Sequence, residues 1–387
     1  MPRAKSRLRG VLNARFLRWW LLCRLIAVIP PLGRGLGMFP KGIGMLEAAD
    51  RVLIDEVRSV PAAEIEAERE FLAACLANDA TADDLTLPGG VRAGARMEFY
   101  ERPWVDVATG LVLLPELGRT VLLRGSYANW NATSARIGRP RIRIDGRVTV
   151  PIPTDNYFHQ IVENGIRLLD MLDRPELGGE PITLVHRRPR SRVERALLEG
   201  LAAADARLTL REMPDGSLAL PDSAVIYFPG NNHWEWPELP PAAVARLGAL
   251  FEAQYGPPER ASGPRLFLSR GGAKLRRLRN EAAVAEMLAR NGFETLVATD
   301  ANHAAQIAMF RAARVIVSVH GAGLANLLFT APEARVIEIF PANKLKSPYW
   351  WICRQRSLHH VPVIGGAGDR DEAFEVDPAL IEAALSG

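Results

Sequence analysis

Cysteine is scarce in this sequence of 387 residues. The only three, Cys23, Cys75 and Cys353, stand far apart, and none belongs to a Cys-x-x-Cys pair or to a Cys/His spacing typical of a zinc site. This pattern excludes a disulfide-stabilised scaffold and a structural zinc site, and it fits a reducing compartment.

Acidic residues are missing from the first 46 positions, which hold nine lysines and arginines. Because the whole chain has a net charge of +4, the remaining residues are net acidic, and the basic character belongs to this N-terminal segment. The segment also lacks the run of about 20 apolar residues that a membrane-spanning helix requires. Arg18 and Arg24 interrupt its apolar stretch, and Pro30 and Pro31 end it.

Residues 3–34 instead fit a basic amphipathic helix that lies on a membrane surface. Trp19, Trp20 and the leucines would enter the lipid interface, while the arginines would contact anionic headgroups. A helix docked on the protein's own surface is one alternative. A signal peptide is a weaker one, because arginines interrupt its apolar region and no clear small-residue cleavage site follows. Basic and aromatic residues do not alternate elsewhere, so nucleic acid is not an expected partner.

The chain is long enough for about two to three domains. Hydrophobic residues make up 48% and charged residues 24%, which excludes the disordered and collagen-like classes. The proline-rich stretch from Trp236 to Pro241 is the best candidate for a linker, because successive prolines sustain neither a helix nor a central strand. We therefore predict a basic N-terminal segment (1–46), an α/β domain (47–238) and a second α/β domain (239–387).

The second domain shows a regular alternation of strand and helix signals. Predicted strands cover 265–269, 293–297, 314–319 and 335–340, and predicted helices cover 280–290, 303–313 and 324–329. This order indicates parallel strands joined by right-handed crossovers, a Rossmann-like arrangement. The first domain is less regular, with short β-type runs between 91 and 153, an amphipathic helix over 155–172, and alternating strands and helices up to 228.

The apolar strand Val315–Val319 turns through His320-Gly-Ala-Gly323 into a helix that contains Asn326. In a parallel sheet such a turn lies at the carboxyl edge, where backbone N–H groups at the helix start can hold an anion. Gly321 and Gly323 would let the backbone approach a phosphate, because no Cβ stands in the way. The third glycine of the dinucleotide fingerprint is absent. A tight connection that needs glycine for its geometry is the alternative interpretation, and His320 could be an ordinary turn histidine.

Arg270 leaves the carboxyl end of the strand over 265–269, and a basic loop follows it. The loop carries Lys274, Arg276, Arg277 and Arg279. We expect Asn280 to cap the next helix. Guanidinium groups bind phosphate bidentately, so a diphosphate between this loop and the glycine turn would be neutralised from two sides. We assign this role to Arg270 and to one of Arg276 or Arg277, and a solvated surface position to Lys274 and Arg279.

The predicted helix over 155–172 begins with Asn156-Tyr-Phe-His159. His159, Glu163 and Arg167 stand four residues apart and therefore share one helix face. A histidine paired with a carboxylate can act as the general base for a sugar hydroxyl, although an ordinary ion pair between Glu163 and Arg167 fits the spacing equally well. Glu338 interrupts the apolar strand over 335–340, and its carboxylate needs a partner, for which ribose hydroxyls or a neighbouring arginine are candidates.

Taken in order, these motifs resemble glycosyltransferase family 61, the group that includes bacterial capsular polysaccharide biosynthesis proteins. The helix motif resembles the family's NYxHW…(D/E)…R pattern, except that Gln160 stands where the family commonly has Trp. The remaining matches are Ser269-Arg270, Arg277 and Asn280-Glu281, and then Gln306, Phe310, Ala312-Ala313, His320-Gly-Ala-Gly-Leu-Ala-Asn326 and Glu338. The resemblance runs from residue 150 to 342.

The resemblance implies a GT-B fold, in which two Rossmann-like domains face each other across a cleft. It also implies an inverting, metal-independent transferase without a cofactor, in which His159 or Glu163 deprotonates the acceptor hydroxyl. The acceptor side would include Asn156, Tyr157 and Arg167. The nucleotide and its phosphates would contact Arg270, Arg276, Arg277, Asn280, Glu281, His320, Gly321, Ala322, Gly323, Asn326 and Glu338. Among these, Glu338 would lie near the ribose.

The implied partners are a nucleotide-sugar donor and a glycan or lipid-linked acceptor of cell-surface or capsular polysaccharide synthesis, at the cytoplasmic face of the plasma membrane. A serine esterase would need a GxSxG nucleophile elbow, which the chain lacks. A metal-dependent GT-A transferase would depend on Asp369-Arg-Asp371, which lies in a glycine-rich tail rather than after a strand. A non-catalytic nucleotide-sugar-binding module would not need Arg270, His320 and Glu163 together.

Overall fold

The computed structural model describes residues 41–43, 51–54, 58–59, 66–67, 69–71, 73, 91–92, 94–116, 119–121, 139–230, 238–256, 263–273 and 275–386. The predicted membrane-surface helix over 3–34 and Lys274 lie outside these residues. Within the described ranges, no helix combines the length and the apolar character needed to cross a membrane.

The described residues form two large sheets, one small two-stranded sheet and helices that cover them. The strands are β1 Lys41–Ile43, β2 Arg51–Ile54, β3 Arg58–Ser59, β4 Val91–Arg92, β5 Arg96–Glu101, β6 Trp104–Asp106, β7 Leu111–Leu114, β8 Arg119–Val121, β9 Arg141–Thr149, β10 Ile182–His186, β11 Leu208–Glu212, β12 Leu218–Phe228, β13 Arg265–Ser269, β14 Glu294–Val297, β15 Val315–Val319, β16 Arg335–Phe340 and β17 His359–Ile364. The α-helices are α1 Arg167–Asp173, α2 Arg192–Ala204, α3 Pro241–Tyr255, α4 Glu281–Arg290, α5 His303–Ala312, α6 Pro348–Gln355 and α7 Pro378–Ser386.

The first sheet has ten strands of mixed direction. Its main path runs β1-β8-β7-β6-β12-β9-β10-β11, while β5 pairs with β12 and β2. Strands β12, β9, β10 and β11 are parallel to one another, and β10 and β12 fall within the alternating strand and helix signals up to 228. Strands β5, β6 and β7 pair antiparallel with their neighbours, and they account for much of the β-type region predicted between 91 and 153.

The helix predicted over 155–172 is present, but its first part has π geometry. A π-helix, His159–Ile166, continues directly into α1. All eight of its residues are buried, and the missing side chain of Gly165 leaves room for a neighbour, because a Cβ there would lie 3.0 Å from Cδ1 of Leu247. π-Helical turns are rare, and they occur frequently at functional sites.

The second sheet is entirely parallel, with the order β14-β13-β15-β16-β17. This arrangement confirms the alternating strands and helices predicted between 265 and 340. One element differs in type, since the segment predicted as a helix over 324–329 is a 3₁₀-helix, Ala322–Phe329. Helices α6 and α7 and strand β17 were not predicted.

One hydrophobic cluster extends across both sheets. It includes Ile161 of the π-helix, Leu184 of β10, Phe251 of α3 and Leu268 of β13. Burying a large apolar side chain contributes about 1.5–3 kcal/mol. The two sheets and the helices between them therefore share one apolar cluster.

Helix α3 follows the predicted linker, yet it packs against helices of the first half, including α2. The approach is close, because a Cβ at Gly200 would lie 2.3 Å from Cδ2 of Leu250. A second connection is polar: the carboxylate of Asp300 accepts hydrogen bonds from the backbone N–H groups of Arg192 (2.9 Å) and Val193 (3.1 Å). A side chain from the second half therefore caps the N-terminus of α2.

An aromatic contact also joins an early part of the chain to the second sheet. The ring of Phe71 stacks on Trp350 of α6, with 5.1 Å between ring centroids, and meets the edge of His360 in β17 at 5.5 Å. Phe71 and Trp350 belong to a small apolar cluster that also contains Phe340 and Trp351. The early segment thus covers part of the second sheet.

Candidate functional site

The order of the second sheet determines where a ligand would bind. From β13 the chain first adds β14 on one side and then returns to add β15 on the other side. In doubly wound sheets, ligands bind in the crevice at the carboxyl ends of the two strands where the order reverses. Arg270 directly follows β13, and His320 directly follows β15. The two predicted phosphate-binding segments therefore meet at this reversal.

Arg270 and Gly321 are in direct contact. A Cβ at Gly321 would lie 1.4 Å from Nη1 of Arg270, so the guanidinium occupies the space that any other residue's side chain would fill. The φ of Gly321 is 175°, an extended value that every residue can adopt. The sequence pattern predicts that glycine here admits a phosphate to the backbone, and in the structure the glycine leaves room for an arginine. Gly323 similarly leaves room for Leu268, whose Cδ2 would lie 2.9 Å from an added Cβ.

Arg270 has unused hydrogen-bonding capacity. Its Nη2 donates to the carbonyl of Leu275 at 2.9 Å, but its buried Nε has no hydrogen-bond partner in the described part of the chain. Burial, assisted by the positive charge of Arg276, lowers the pKa of Arg270 to about 10. The guanidinium remains protonated at neutral pH, and an anion would supply the acceptor that its buried donor needs.

Arg276 lies near Arg270 in the same loop. Its backbone has a φ of 55°, which is uncommon for a residue other than glycine. Its Nη1 lies 3.3 Å from the carboxylate of Glu372, and its buried Nε also has no hydrogen-bond partner among the described residues. Of the two arginines between which the sequence left the choice open, Arg276 is thus the one beside Arg270.

The carboxylate of Glu338 contacts two histidines. Its Oε1 lies 2.6 Å from Nδ1 of His320, and its Oε2 lies 2.7 Å from Nε2 of His360. These partners differ from the ribose and the arginine that were considered from the sequence. Burial alone would raise the pKa of Glu338, but the hydrogen bonds from His320 and His360 outweigh it and lower the pKa.

His320 is held in one orientation. Its ring stacks on Phe340 and also contacts Tyr349, with ring centroids 5.4 and 5.0 Å away. Burial lowers the pKa of His320 to about 4 despite the opposing effect of Glu338, so the ring is neutral at pH 7. Because an ionised carboxylate only accepts hydrogen bonds, Nδ1 carries the proton and Nε2 holds a lone pair. Within the described ranges, no hydrogen bond engages Nε2.

His159 and Glu163 form the pair expected from their spacing. His159 Nδ1 lies 2.9 Å from Glu163 Oε2, and both side chains are buried. Arg167 does not join them through its side chain, because its guanidinium donates to the backbone carbonyls of Glu163 (3.1 Å) and Val150 (2.9 Å). Burial lowers the pKa of Arg167 to about 10. Arg167 therefore fastens the helix to the end of β9.

Gln160 occupies the position where the resembled family commonly has Trp. It is buried, and its Nε2 donates to the carbonyl of Thr154 at 3.0 Å. Its Oε1 accepts from Ser191 Oγ at 3.5 Å. Ser191 is the N-cap residue of α2, and its Oγ accepts a hydrogen bond from the backbone N–H of Glu194 at 2.9 Å. The amide of Gln160 thus ties the start of the π-helix to the start of α2.

Tyr349 connects the His159 segment with the His320 turn. Its ring contacts Phe158, with centroids 5.7 Å apart, and it also contacts His320. Sequence reasoning missed this residue because it lies in α6, which was not predicted. The ring of Tyr349 thus lies between Phe158, the residue before His159, and the turn whose Gly321 contacts Arg270.

Two predicted site residues assigned to opposite substrates contact each other. Tyr157 was expected on the acceptor side and Asn326 on the nucleotide side, yet the Tyr157 hydroxyl donates to Asn326 Oδ1 at 2.7 Å. Asn326 is fully buried, and its Nδ2 donates to the carbonyl of Gly323 at 3.0 Å. The side chain of Asn326 thus stabilises the turn over residues 320–323 through the carbonyl of Gly323.

The remaining predicted residues, Asn280, Glu281 and Arg277, make separate contacts around the basic loop. Asn280 makes no side-chain cap, contrary to the prediction, because its amide binds the backbone of Val376 through both Nδ2 (2.7 Å) and Oδ1 (3.3 Å). Glu281 accepts a hydrogen bond from Ser269 Oγ. Arg277 is exposed, and it lines a depression of about 510 Å³ together with Gly271, Leu278, Arg279, Glu281, Ala282, Ala285, Asp369 and Ala373.

The first half contains a polar cavity of about 510 Å³. Residues that follow three neighbouring parallel strands line it: Pro153, Thr154, Asp155 and Asn156 after β9, Arg187 and Arg190 after β10, and Pro214, Asp215 and Gly216 after β11, with Val107 and Ala108 completing the wall. Asp155 receives hydrogen bonds from Arg187 (3.1 Å) and Arg190 (3.2 Å). The cavity reaches Asn156, three residues before His159.

In the described part of the chain, no three His, Cys, Asp or Glu side chains come together as a possible metal site. The carboxylate of Asp369, the first residue of the Asp-x-Asp alternative, accepts hydrogen bonds from the backbone N–H groups of Asp371 and Ala373 at 2.9 Å. It also pairs with Arg279 at 2.6 Å. The carboxylate of Asp369 is therefore occupied by contacts that stabilise the loop around it.

The described residues form an α/β protein whose second sheet is parallel, with Arg270 and Gly321 in contact where the strand order reverses. A family model described as Glycosyltransferase 61 matches residues 119–337, which is more than half of the chain. The chain belongs to glycosyltransferase family 61, and it is therefore a transferase. No curated protein matches it.

Proposed function

We propose that this protein is an inverting, metal-independent glycosyltransferase that moves a sugar from a nucleotide-sugar to a glycan or lipid-linked acceptor. The contact between Arg270 and Gly321 at the carboxyl edge of the parallel sheet carries the proposal. Arg270, Arg276 and the backbone of the Gly321–Gly323 turn would bind the diphosphate. Guanidinium groups fixed in this way stabilise the charge that develops on the leaving diphosphate.

The proposed base is His159, oriented by Glu163. The carboxylate keeps the proton on Nδ1, which leaves Nε2 as the basic nitrogen. The proton of the acceptor hydroxyl passes to the base, and the hydroxyl oxygen forms a bond to the anomeric carbon. The bond between that carbon and the phosphate oxygen breaks, and its electron pair leaves with the nucleoside diphosphate. Attack opposite the leaving group inverts the anomeric centre.

We assign the acceptor to the polar cavity at the ends of β9, β10 and β11. Ligands of parallel sheets bind outside the carboxyl ends of the strands, and this cavity reaches the start of the helix that carries His159. Asp155, Asn156 and Asp215 offer groups that bind sugar hydroxyls. The two sheets would then act as the donor and acceptor halves of a GT-B arrangement, with the reaction between them.

The cellular setting is also part of the proposal. Residues 3–34 would hold the enzyme on anionic lipid at the cytoplasmic face of the plasma membrane, where lipid-linked acceptors of surface or capsular polysaccharide are available. A metal-dependent GT-A mechanism is the alternative, but the hydrogen bonds of Asp369 disfavour it.

Calorimetry with UDP, GDP, CDP and ADP tests the diphosphate site. We expect at least one to bind, and Arg270→Ala to weaken its binding at least tenfold, since each 1.4 kcal/mol lost is a factor of about ten. Arg279→Ala is the matched control, because Arg279 lies in the same loop but is exposed and paired with Asp369. Equal affinity in wild type and Arg270→Ala would remove the phosphate role.

Turnover of nucleotide-sugars tests the chemistry. His159→Ala and Glu163→Gln should each slow sugar transfer, with a loss of about 100-fold or more for a base. If both variants keep the wild-type rate, the base lies elsewhere. EDTA should leave transfer intact, and its abolition would favour the metal-dependent alternative.

A further inference from the structure

A chain of partly buried hydrogen bonds links the two halves of the protein through the hydroxyl of Tyr157. This hydroxyl lies 2.7 Å from Asn326 Oδ1 and also 2.7 Å from His303 Nε2. On the other side of the His303 ring, the hydroxyl of Tyr255 lies 2.9 Å from Nδ1. Asn326 and His303 are both buried.

The direction of each hydrogen bond can be deduced, beginning from Gln306. Its Nε2 donates to the carbonyl of Thr299 at 2.7 Å, so its Oε1 faces Asn326 and accepts from Asn326 Nδ2 at 3.1 Å. The same Nδ2 donates to the Gly323 carbonyl, and Asn326 Oδ1 therefore faces Tyr157 as an acceptor. A phenol has one proton, and Tyr157 gives it to Asn326.

His303 must then donate its Nε2–H to the oxygen of Tyr157. Its Nδ1 consequently holds a lone pair, which accepts the hydroxyl proton of Tyr255. Burial lowers the pKa of His303 to about 4, so the ring is neutral at pH 7, and burial raises the pKa of Tyr157, which keeps its proton. The hydrogen bonds thus run in one direction, from Tyr255 through His303 and Tyr157 to Asn326.

The position of Tyr157 gives this arrangement its significance. Tyr157 stands two residues before His159, and Asn326 holds the carbonyl of Gly323 in the turn whose Gly321 contacts Arg270. One hydroxyl therefore joins the segment of the proposed base to the turn of the proposed diphosphate site. We propose that Tyr157 is a positioning residue that sets the distance between base and leaving group. The inference rests on the proposed function, and it assigns Tyr157 to alignment rather than to acceptor binding.

Direct displacement requires this alignment, because the attacking oxygen must approach opposite the leaving diphosphate. A misplacement of about 1 Å can reduce a rate by about 100-fold. Tyr157→Phe would leave Asn326 Oδ1 and His303 Nε2–H buried without partners, so both would shift. Arg270 would keep its own contacts. We therefore expect the chemical step to slow while diphosphate affinity stays nearly constant.

The experiment compares wild type, Tyr157→Phe and Tyr227→Phe in the full chain. Tyr227→Phe is the control, because it also removes the hydroxyl of a buried tyrosine. That hydroxyl donates a hydrogen bond to the carboxylate of Asp170, away from the site. We measure release of nucleoside diphosphate from UDP-, GDP- and CDP-activated sugars, and the Kd for the free diphosphates. We expect kcat of Tyr157→Phe to fall at least tenfold with Kd unchanged within about threefold, and Tyr227→Phe to match wild type.

Two variants of His303 keep the test decisive if Tyr157→Phe does not fold. A glutamine can place an amide N–H near the position of the imidazole Nε2–H, whereas leucine cannot. His303→Gln should keep kcat within about threefold of wild type, and His303→Leu should lose at least tenfold. Equal kcat values in the two variants would contradict the proposal.

The outcomes separate this inference from the proposed function. If wild type binds no nucleoside diphosphate and consumes no nucleotide-sugar, the proposed function fails, and the alignment role fails with it. If wild type turns over and Tyr157→Phe keeps its kcat, only the alignment role is wrong. A loss of kcat matched by an equal loss of diphosphate affinity would also overturn it, because Tyr157 would then support donor binding.

Discussion

The guanidinium of Arg270 occupies the space that the side chain of residue 321 would fill in any residue other than glycine. The residue that follows β13 thus contacts the second residue after β15. The sequence pattern associates this glycine with phosphate binding, and in the structure it is needed to leave space for the Arg270 side chain.

Gly321→Ala should displace Arg270. Because the new Cβ would overlap the guanidinium, the arginine must leave its position, and we expect affinity for the nucleoside diphosphate to fall at least tenfold, about 1.4 kcal/mol. Gly272→Ala provides the control, since nothing lies within 4 Å of a Cβ at that position in the same loop. Calorimetry on both variants decides the matter, and wild-type affinity in Gly321→Ala would refute the role of the contact.

Glu338→Gln should destabilise the fold. The glutamine NH₂ would face the N–H of either His320 or His360, and a buried donor left without an acceptor costs about 1–3 kcal/mol. Glu333→Gln is the matched control, because Glu333 binds His359 on the surface at 2.9 Å. We expect Glu333→Gln to change the free energy of unfolding, measured in urea, by less than about 0.5 kcal/mol. If the two variants lost similar amounts of unfolding free energy, burial of the Glu338 carboxylate would not be the cause.

Stability should fall as the pH is lowered from about 6.5 to 4. Burial lowers the pKa of both His303 and His320 from 6.5 to about 4. Between these values the unfolded chain binds protons that the folded chain does not, so each histidine reduces the free energy of unfolding by up to about 1.4 kcal/mol per pH unit. Above about pH 7.5 neither contributes a slope, because the unfolded chain is then also deprotonated. Urea unfolding at pH 7.5, 6.5 and 5.5 measures the effect, and His303→Gln should show a shallower slope than wild type.

Deleting residues 1–34 should release the protein from anionic vesicles. The first 46 residues carry nine lysines and arginines and no acidic residue, so they should bind phosphatidylserine more tightly than phosphatidylcholine. Co-sedimentation with both vesicle types at low and high salt measures this binding, and binding of the full chain should weaken as salt rises. Retention of the shortened chain on phosphatidylserine vesicles would show that another surface binds the membrane.

The second sheet could be predicted from the sequence because its strands are buried and parallel, and such strands form short apolar runs that end at glycine or polar turns. Helix α6 could not, since Tyr349, Trp350, Trp351, Ile352 and Cys353 are all buried and the segment has no polar face to give a helical period. Strand β17 contains Pro362, which argues against a central strand, and β17 is indeed the edge strand.

The candidate site was predicted where neighbouring strands bring residues together, as with Arg270 and Gly321, and where residues share a helix face, as with His159 and Glu163. The contact between Tyr157 and Asn326 joins positions 169 residues apart, and no local pattern encodes it. The same holds for the two histidines on Glu338. The π geometry at His159 also escaped prediction, because an apolar face at helical spacing fits both helix types.

The stacking of Phe71 on Trp350 limits how this enzyme can be divided or recombined. A chimera that took only the residues after 238 would lose the cover over Trp350 and His360, and the shared apolar cluster would be split as well. Exchange of the second sheet between relatives would therefore have to transplant the early segment with it, whereas substitutions within the intact polypeptide would leave this contact in place.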